Sequence, residues 1–219
     1  MRAYDVPVGE VVLRVVGGEE RYEEVRAAGM SFFERIQSYG IRNPAFARSK
    51  HRVYLPEEAP ALAREMAETA ALAGVGPMFT FRAALVDTVG RVLAEREREV
   101  LVSSGGHHFV TARKRMKLSV RGVPGAALAV VIRPELGTQG VCTTIGRSDE
   151  LEDEGDGLVV VARSCILAAA AAAGGQAMMA RRRPVMETLS YLQRIPGVHG
   201  TLLVKGEEIG LAGGLELAA

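Results

Sequence analysis

The sequence has no tryptophan, and its aromatic residues make up only 5% of the chain. A surface that stacks single-stranded bases needs more rings than that. An excess of charge of one sign is also missing. Lys and Arg number 27 against 26 Asp and Glu, a formal net charge of +1. Nothing global therefore draws the chain to nucleic acid or to an anionic membrane. Only two cysteines occur, Cys142 and Cys165, with no C-x-x-C, which excludes zinc ribbons and thioredoxin-like chemistry. The longest run of small apolar residues, Cys165–Gly175, is too short for the ~20 residues of a membrane span. The opening Met-Arg-Ala-Tyr-Asp-Val-Pro carries no apolar stretch of the secretory kind. A soluble cytoplasmic protein is expected.

Standard catalytic signatures are absent as well. There is no G-x-x-x-x-G-K-[ST], no H-E-x-x-H and no G-x-S-x-G. Gly74-Val75-Gly76-Pro77-Met78 begins like a dinucleotide fingerprint but lacks its third glycine and follows a predicted helix, so a Rossmann reading fails.

What is present is ordinary globular composition, 48% hydrophobic and 24% charged over 219 residues. That length fits one large domain or two small ones, and no Pro-, Gly- or Ser-rich linker divides it. We expect a single domain over residues 1–219. Glu10–Val16 reads as a strand ended by Gly17-Gly18. Helical spacing of Val25, Phe32, Phe33 and Ile36 predicts a helix from Glu19 to about Tyr39, closed by Gly40. Asn43-Pro44 marks a loop and Ala45–Leu55 a connector. Pro56-Glu57-Glu58 predicts a helix start, with a stop at Gly74. A further helix is expected from Met78 to Glu95.

From Val100 the period changes to that of strands: Val100–Ser103, His108–Ala112, Leu118–Arg121, Ala126–Ile132, Val141–Thr144 and Leu158–Ala162. Ser148–Asp156 is acidic and reads as a solvated loop. Cys165–Arg183, with six consecutive alanines at Ala168–Ala173, and Val185–Arg194 read as helices. Thr201–Lys205 and Ile209–Leu217 read as a closing hairpin. Runs of strands followed by helices argue α+β with mixed or antiparallel sheet layers flanked by helices.

Three segments are candidates for chemistry. Gly74–Met78 permits close approach of a ligand before a helix N-terminus, where amides can hold an anion; it also serves as a plain helix connector. Ser103-Ser104-Gly105-Gly106-His107-His108 reads as a hairpin turn with more polar groups than a turn needs. Adjacent histidines on a strand point to opposite faces, so only one of them can face a site. Gly140-Val141-Cys142-Thr143-Thr144 places a thiol beside two hydroxyls, although a lone cysteine is more often a small buried hydrophobe. His51 and His199 read as structural or surface residues. Arg181-Arg182-Arg183 suits the negative end of the preceding helix; phosphate binding is the alternative.

These segments, with Val159–Ser164 and Gly197–Gly206, occur in an order and spacing that resembles the short UPF branch of the ApbE-like superfamily, over essentially the whole chain. The resemblance implies an α+β fold with a flavin nucleotide in a cleft between layers. Better-studied members are FAD-dependent, magnesium-requiring transferases that move FMN onto Thr or Ser of a partner protein. By resemblance, Gly74, Val75, Gly76, Pro77 and Met78 correspond to the flavin-site stretch and Ser104, Gly105 and Gly106 to the glycine turn beside it. Thr143 and Thr144 join the cofactor-binding candidates.

The departures are specific. His107 stands where Asp is common after the glycine pair. Ala169 and Ala173 stand where an Asp and a Thr help hold magnesium, and Arg163 replaces an Asp before the serine. Alanine offers magnesium no oxygen. The expectation is an ApbE-like protein with a degenerate metal site, binding FAD, FMN or another anionic small molecule. The branch's implied link is to sulfur assimilation. His107, Cys142 and Arg163 are candidate catalytic residues, and magnesium is not expected. The alternatives are a magnesium-dependent flavin transferase and a non-catalytic homodimeric partner protein.

Overall fold

The structure, a computed structural model, describes residues 1–120, 128–144 and 156–218. Its elements are β1 (Arg2–Val8), β2 (Val11–Gly17), α1 (Tyr22–Arg42), α2 (Pro44–Arg48), α3 (Ala61–Leu72), a 3-10 turn at Pro77–Thr80 and α4 (Phe81–Ala94). Next come β3 (Val100–Ser104), β4 (His107–Thr111), β5 (Met116–Val120), β6 (Leu128–Ile132), β7 (Gln139–Thr143) and β8 (Gly157–Ala162). The chain closes with α5 (Cys165–Ala180), α6 (Val185–Gln193), β9 (Val198–Lys205), β10 (Glu208–Gly213) and β11 (Leu217–Ala218). An eight-stranded sheet runs in the order β1-β2-β3-β4-β7-β8-β9-β10, and β11-β6-β5 form a second, three-stranded sheet. Every described pairing is antiparallel. The fold is α+β, as the order of elements predicts.

Alternation along the strands sorts side chains into two cores. Leu158, Val160 and Ala162 of β8 join the helices, whereas Val159 and Val161 join Leu118, Val130 and Ile132 of the small sheet. Covering both faces explains why β8 is continuously apolar and wholly buried. At the β1–β2 edge only one face is covered. There Leu13 and Val15 are buried, while Val12 and Arg14 point to solvent.

Several local expectations shift. β1 is an addition: Arg-Ala-Tyr-Asp-Val-Pro-Val has little apolar density, and its proline is tolerated because the strand lies at an edge. Gly40 does not close α1, which runs on to Arg42, where the Asn43 side-chain amide donates to the Tyr39 carbonyl at 2.9 Å. α2 occupies part of the expected connector, with Pro44 in its first turn. α3 begins at Ala61 rather than at Pro56, because Pro60 forms the boundary. The final strand of the expected hairpin divides at Gly213, whose φ of 70° turns the chain, so Leu217–Ala218 pairs with β6 instead of β9. The acidic loop expected at 148–156, apart from its last residue, and the first residues of the strand expected at 126–132 lie outside the described residues; Asp156 itself is buried rather than solvated and accepts the Gly206 N–H at 2.7 Å.

One buried carboxylate fixes the helical layer. Asp87 on α4 is 1% exposed. It accepts the backbone N–H groups of Cys165 at 3.0 Å and Ile166 at 3.1 Å, while the Ser164 hydroxyl accepts that of Leu167 at 3.2 Å. The first three amides of α5 are thereby satisfied, two of them by a different helix. Gly140 lets this end sit against β7, since a Cβ there would lie 2.1 Å from the Cys165 nitrogen.

Burial pushes the Asp87 carboxyl up from 3.8 to about 6, against the pull of the two N–H donors and of Arg91. The folded value lies above the unfolded one, so the folded chain holds a proton between pH 3.8 and about 6 that the unfolded chain has lost. Stability from this group therefore rises as pH falls through that window and is lowest above it. Asp87→Ala is expected to cost about 2–4 kcal/mol in urea unfolding at pH 7, because buried amides lose their acceptor. Asp87→Asn, which cannot titrate, is expected to lose the acid-side gain; a pH series of unfolding midpoints parallel to wild type would contradict this assignment.

Candidate functional site

α5 is walled with alanine and glycine, and two hollows open along it. The larger, about 480 Å³, is bordered by Ala73, Gly74, Val75, Gly174 and Ala177, with Lys50, His51, Arg181, Arg183, Glu187 and Tyr191 around it. The smaller, about 160 Å³, is lined by His107, Cys142, Thr143, Thr144, Ala169 and Ala172. Phe79, Ala173 and Gln176 belong to both, so the hollows adjoin. Phe79 is 49% exposed, unusual for so large an apolar ring beside a cleft.

Sheet register brings two of the candidate residues together. His107 on β4 lies directly opposite Cys142 on β7, so both side chains share the helix-facing side of the sheet. His108 points the other way. Its Nδ1 sits 2.8 Å from the Ser103 hydroxyl, and burial lowers its pKa to about 4, which keeps the ring neutral at physiological pH. Thr144 closes the strand end: its hydroxyl accepts the Leu158 N–H at 2.9 Å. The Thr143 N–H donates to the Gly106 carbonyl at 2.8 Å, which sets the glycine turn beside β7. That turn, with φ of 53° at Gly105 and 84° at Gly106, reverses the β3–β4 hairpin. Ser104, Gly105 and Gly106 do not line either hollow; the Ser104 hydroxyl donates to the Val12 carbonyl.

The Gly74–Met78 segment divides similarly. Gly74, at φ 66°, ends α3: its N–H donates to Ala71 and that of Val75 to Ala70, the paired bonds of a helix stop. The Gly76 N–H donates to the Lys50 carbonyl at 3.0 Å. These three amides are occupied inside the fold and do not hold an anion themselves. Gly74 and Val75 supply cleft wall instead. Gly76 and Pro77 lie behind that wall, and Met78 faces a separate groove with Ile36, Ile41 and Phe81. Arg163 is also outside both hollows: it is exposed, and its side chain lies over Gly197.

Ala169 and Ala173, four residues apart on one face of α5, both border the smaller hollow. Among the described residues lining it, the polar groups are an imidazole, a thiol, two threonines and the Gln176 amide, with no carboxylate. Among the described residues no three of His, Cys, Asp and Glu are grouped to hold a metal ion. This donor set does not fit magnesium, which favours hard oxygen ligands.

A family model described as AbpE bacteria matches residues 4–187. The chain belongs to this family. A curated relative, UPF0280 protein MK0206 of Methanopyrus kandleri, is 28% identical over 186 residues, covering 81% of this chain and 76% of its own length. Among solved structures, the flavin transferase ApbE of Vibrio cholerae superposes with a TM-score of 0.63 at 10% identity, covering 96% of both chains. The flavinyl transferase ApbE of Pseudomonas stutzeri does so at 0.61 and 14%, covering 96% of this chain and 93% of the other. At such identities these likenesses show the ApbE fold. With the UPF0280 relative they agree with the branch that the motifs resemble. Among the described residues no single helix is long and apolar enough to cross a membrane.

Sequence reasoning missed part of this cleft. Lys50 and His51 have no local signature; they reach it because Gly76 lets the Ser49–Lys50 backbone pass, where a Cβ would lie 1.8 Å from the Ser49 oxygen. Phe79 falls within the helix expected from Met78 but sits on a 3-10 turn. Tyr191 is anchored by donation of its hydroxyl to the Ala73 carbonyl at 2.6 Å, over a glycine at 174 that leaves room for it.

The two thiols differ in access. Cys165 is fully buried, and burial pushes its thiol well above the ordinary range, with Asp87 adding to the effect. Cys142, though 2% exposed, borders the smaller hollow. In the native protein at pH 8, a small alkylating reagent is expected to modify Cys142 slowly and Cys165 only after unfolding. Peptide mass mapping that found Cys165 modified first would contradict this order.

Proposed function

We propose that the cleft binds a flavin nucleotide, FAD or FMN, without a carboxylate-held magnesium ion. The observation that carries this reading is Phe79, a half-exposed ring standing between a basic hollow and a small polar one. A flavin nucleotide matches that order of surfaces, with a flat aromatic system joined to phosphate. The larger hollow has the size usual for small-molecule sites. Two of the solved structures that share the fold are named as flavin transferases, which supports the ligand class.

Cleavage of a pyrophosphate leans on a metal ion to stabilise developing charge. The alanines at 169 and 173 supply no ligand for one, so the reading is a binding protein in which metal-dependent transfer is lost. His107 and Cys142 would then border the ligand on the floor of the smaller hollow.

Fluorescence titration with FAD and FMN is expected to give saturable binding at micromolar ligand, unchanged by EDTA. Phe79→Ala is expected to weaken it about tenfold, the scale of one aromatic stacking contact, without altering the fold. No binding at high micromolar flavin would overturn the reading. So would magnesium-dependent transfer of fluorescent flavin to a Thr- or Ser-bearing acceptor peptide.

A further inference from the structure

The larger hollow draws its basic residues from two segments far apart in the chain. Lys50 and His51 follow α2, whereas Arg181 and Arg183 belong to the turn that ends α5. Glu187 is the one carboxylate among the lining residues, and it pairs with Arg183 at 3.6 Å. Among the described residues, Lys50 and Arg181 have no ion-pair partner.

Favourable interaction with the helix dipole accounts for a cation in the last turn of α5. It does not account for Lys50, which the Gly76 N–H holds by its carbonyl at 3.0 Å. Nor does it account for the turn itself. The Arg183 N–H donates to Met178 and the Arg182 N–H to Met179, the same pair of closing bonds seen at Gly74. Here, however, the left-handed position is filled by Arg182, at φ 55°, where glycine is usual. Between the two cationic segments the wall is Gly74, Ala173, Gly174 and Ala177, and a Cβ on Gly74 would meet nothing within 4 Å.

We propose that this hollow is a phosphate subsite, in which Lys50, Arg181 and Arg183 take the phosphate or pyrophosphate group of a nucleotide whose ring lies at Phe79. The ring's identity rests on the flavin reading above; the phosphate contact rests on the cations alone. Arginine forks bond paired phosphate oxygens and lysine adds a point charge. The first amides of α5, which would be the other anion-binding device of such a helix, are already held by Asp87 and Ser164.

Calorimetry with inorganic pyrophosphate tests the subsite without any flavin. Wild type is expected to bind it at sub-millimolar concentration, more weakly as salt is raised. The double variant Lys50→Ala/Arg181→Ala, altered only at exposed side chains, is expected to lose at least tenfold. Arg194→Ala, an exposed arginine outside the hollow, serves as a control for the loss of a surface cation and is expected to bind as wild type does. In a second arm, the double variant is expected to weaken FAD by a similar factor and to leave riboflavin, which has no phosphate, unchanged. If FAD fails to bind but pyrophosphate behaves as described, the flavin reading falls and the subsite stands. Pyrophosphate binding that is absent from wild type, or equal in wild type and double variant, overturns the subsite whatever FAD does.

Discussion

The wall of the cleft depends on how α5 is held, and α5 is held at its N-terminus by Asp87. A carboxylate buried among apolar side chains is costly unless its oxygens are bonded. Here the donors are helix amides that are themselves buried and in need of acceptors. Each side of the contact lowers the other's penalty, and the bond crosses from α4 to α5. The rest of α5 is too thin to fix its own place: alanine and glycine give good helix propensity but little interlocking bulk. A specific polar anchor at one end compensates for a featureless shaft.

The second constraint is the two-sided sheet. Because β4 and β7 are covered on both faces, each residue step transfers a side chain from one core to the other. His107 and Cys142 therefore face the helices, while His108 and Val141 take the opposite face, where Val141 joins the core under the small sheet. The same geometry makes the cleft a boundary between layers: its floor comes from strands, its wall from α5, and its rim from the segments around α2, α3 and the end of α5.

Much of the fold was legible because burial on known faces leaves period-specific patterns. β2, β8, α4 and α5 fall within a few residues of where alternation or helical spacing puts them. β1 was not legible, since an edge strand with one buried face and a proline lacks apolar density. The start of α3 was misplaced because acidic residues after Pro56 imitate a first turn, whereas Pro60 sets the real one. For the site, the strand alternation that separates His107 from His108 was readable in advance. The meeting of His107 with Cys142 depends on pairing between β4 and β7, which no local pattern encodes. Gly76 illustrates the same limit: its lack of a side chain suggested room for a ligand, and the room is taken by the chain's own Ser49–Lys50 backbone.

The alanine wall makes the shape of the cleft unusually easy to alter. At most binding sites selectivity is written in side chains that protrude, and changing it means replacing one set of contacts by another. Here the accommodating surface is made of methyl groups and bare backbone at Ala173, Gly174 and Ala177. One longer residue at Ala173 or Ala177 would redraw the outline of the guest without disturbing the inner face of the helix, where Ala168, Ala170 and Ala171 are fully enclosed. Such a scaffold can exchange one occupant for another through single substitutions, while the architecture that carries them stays fixed.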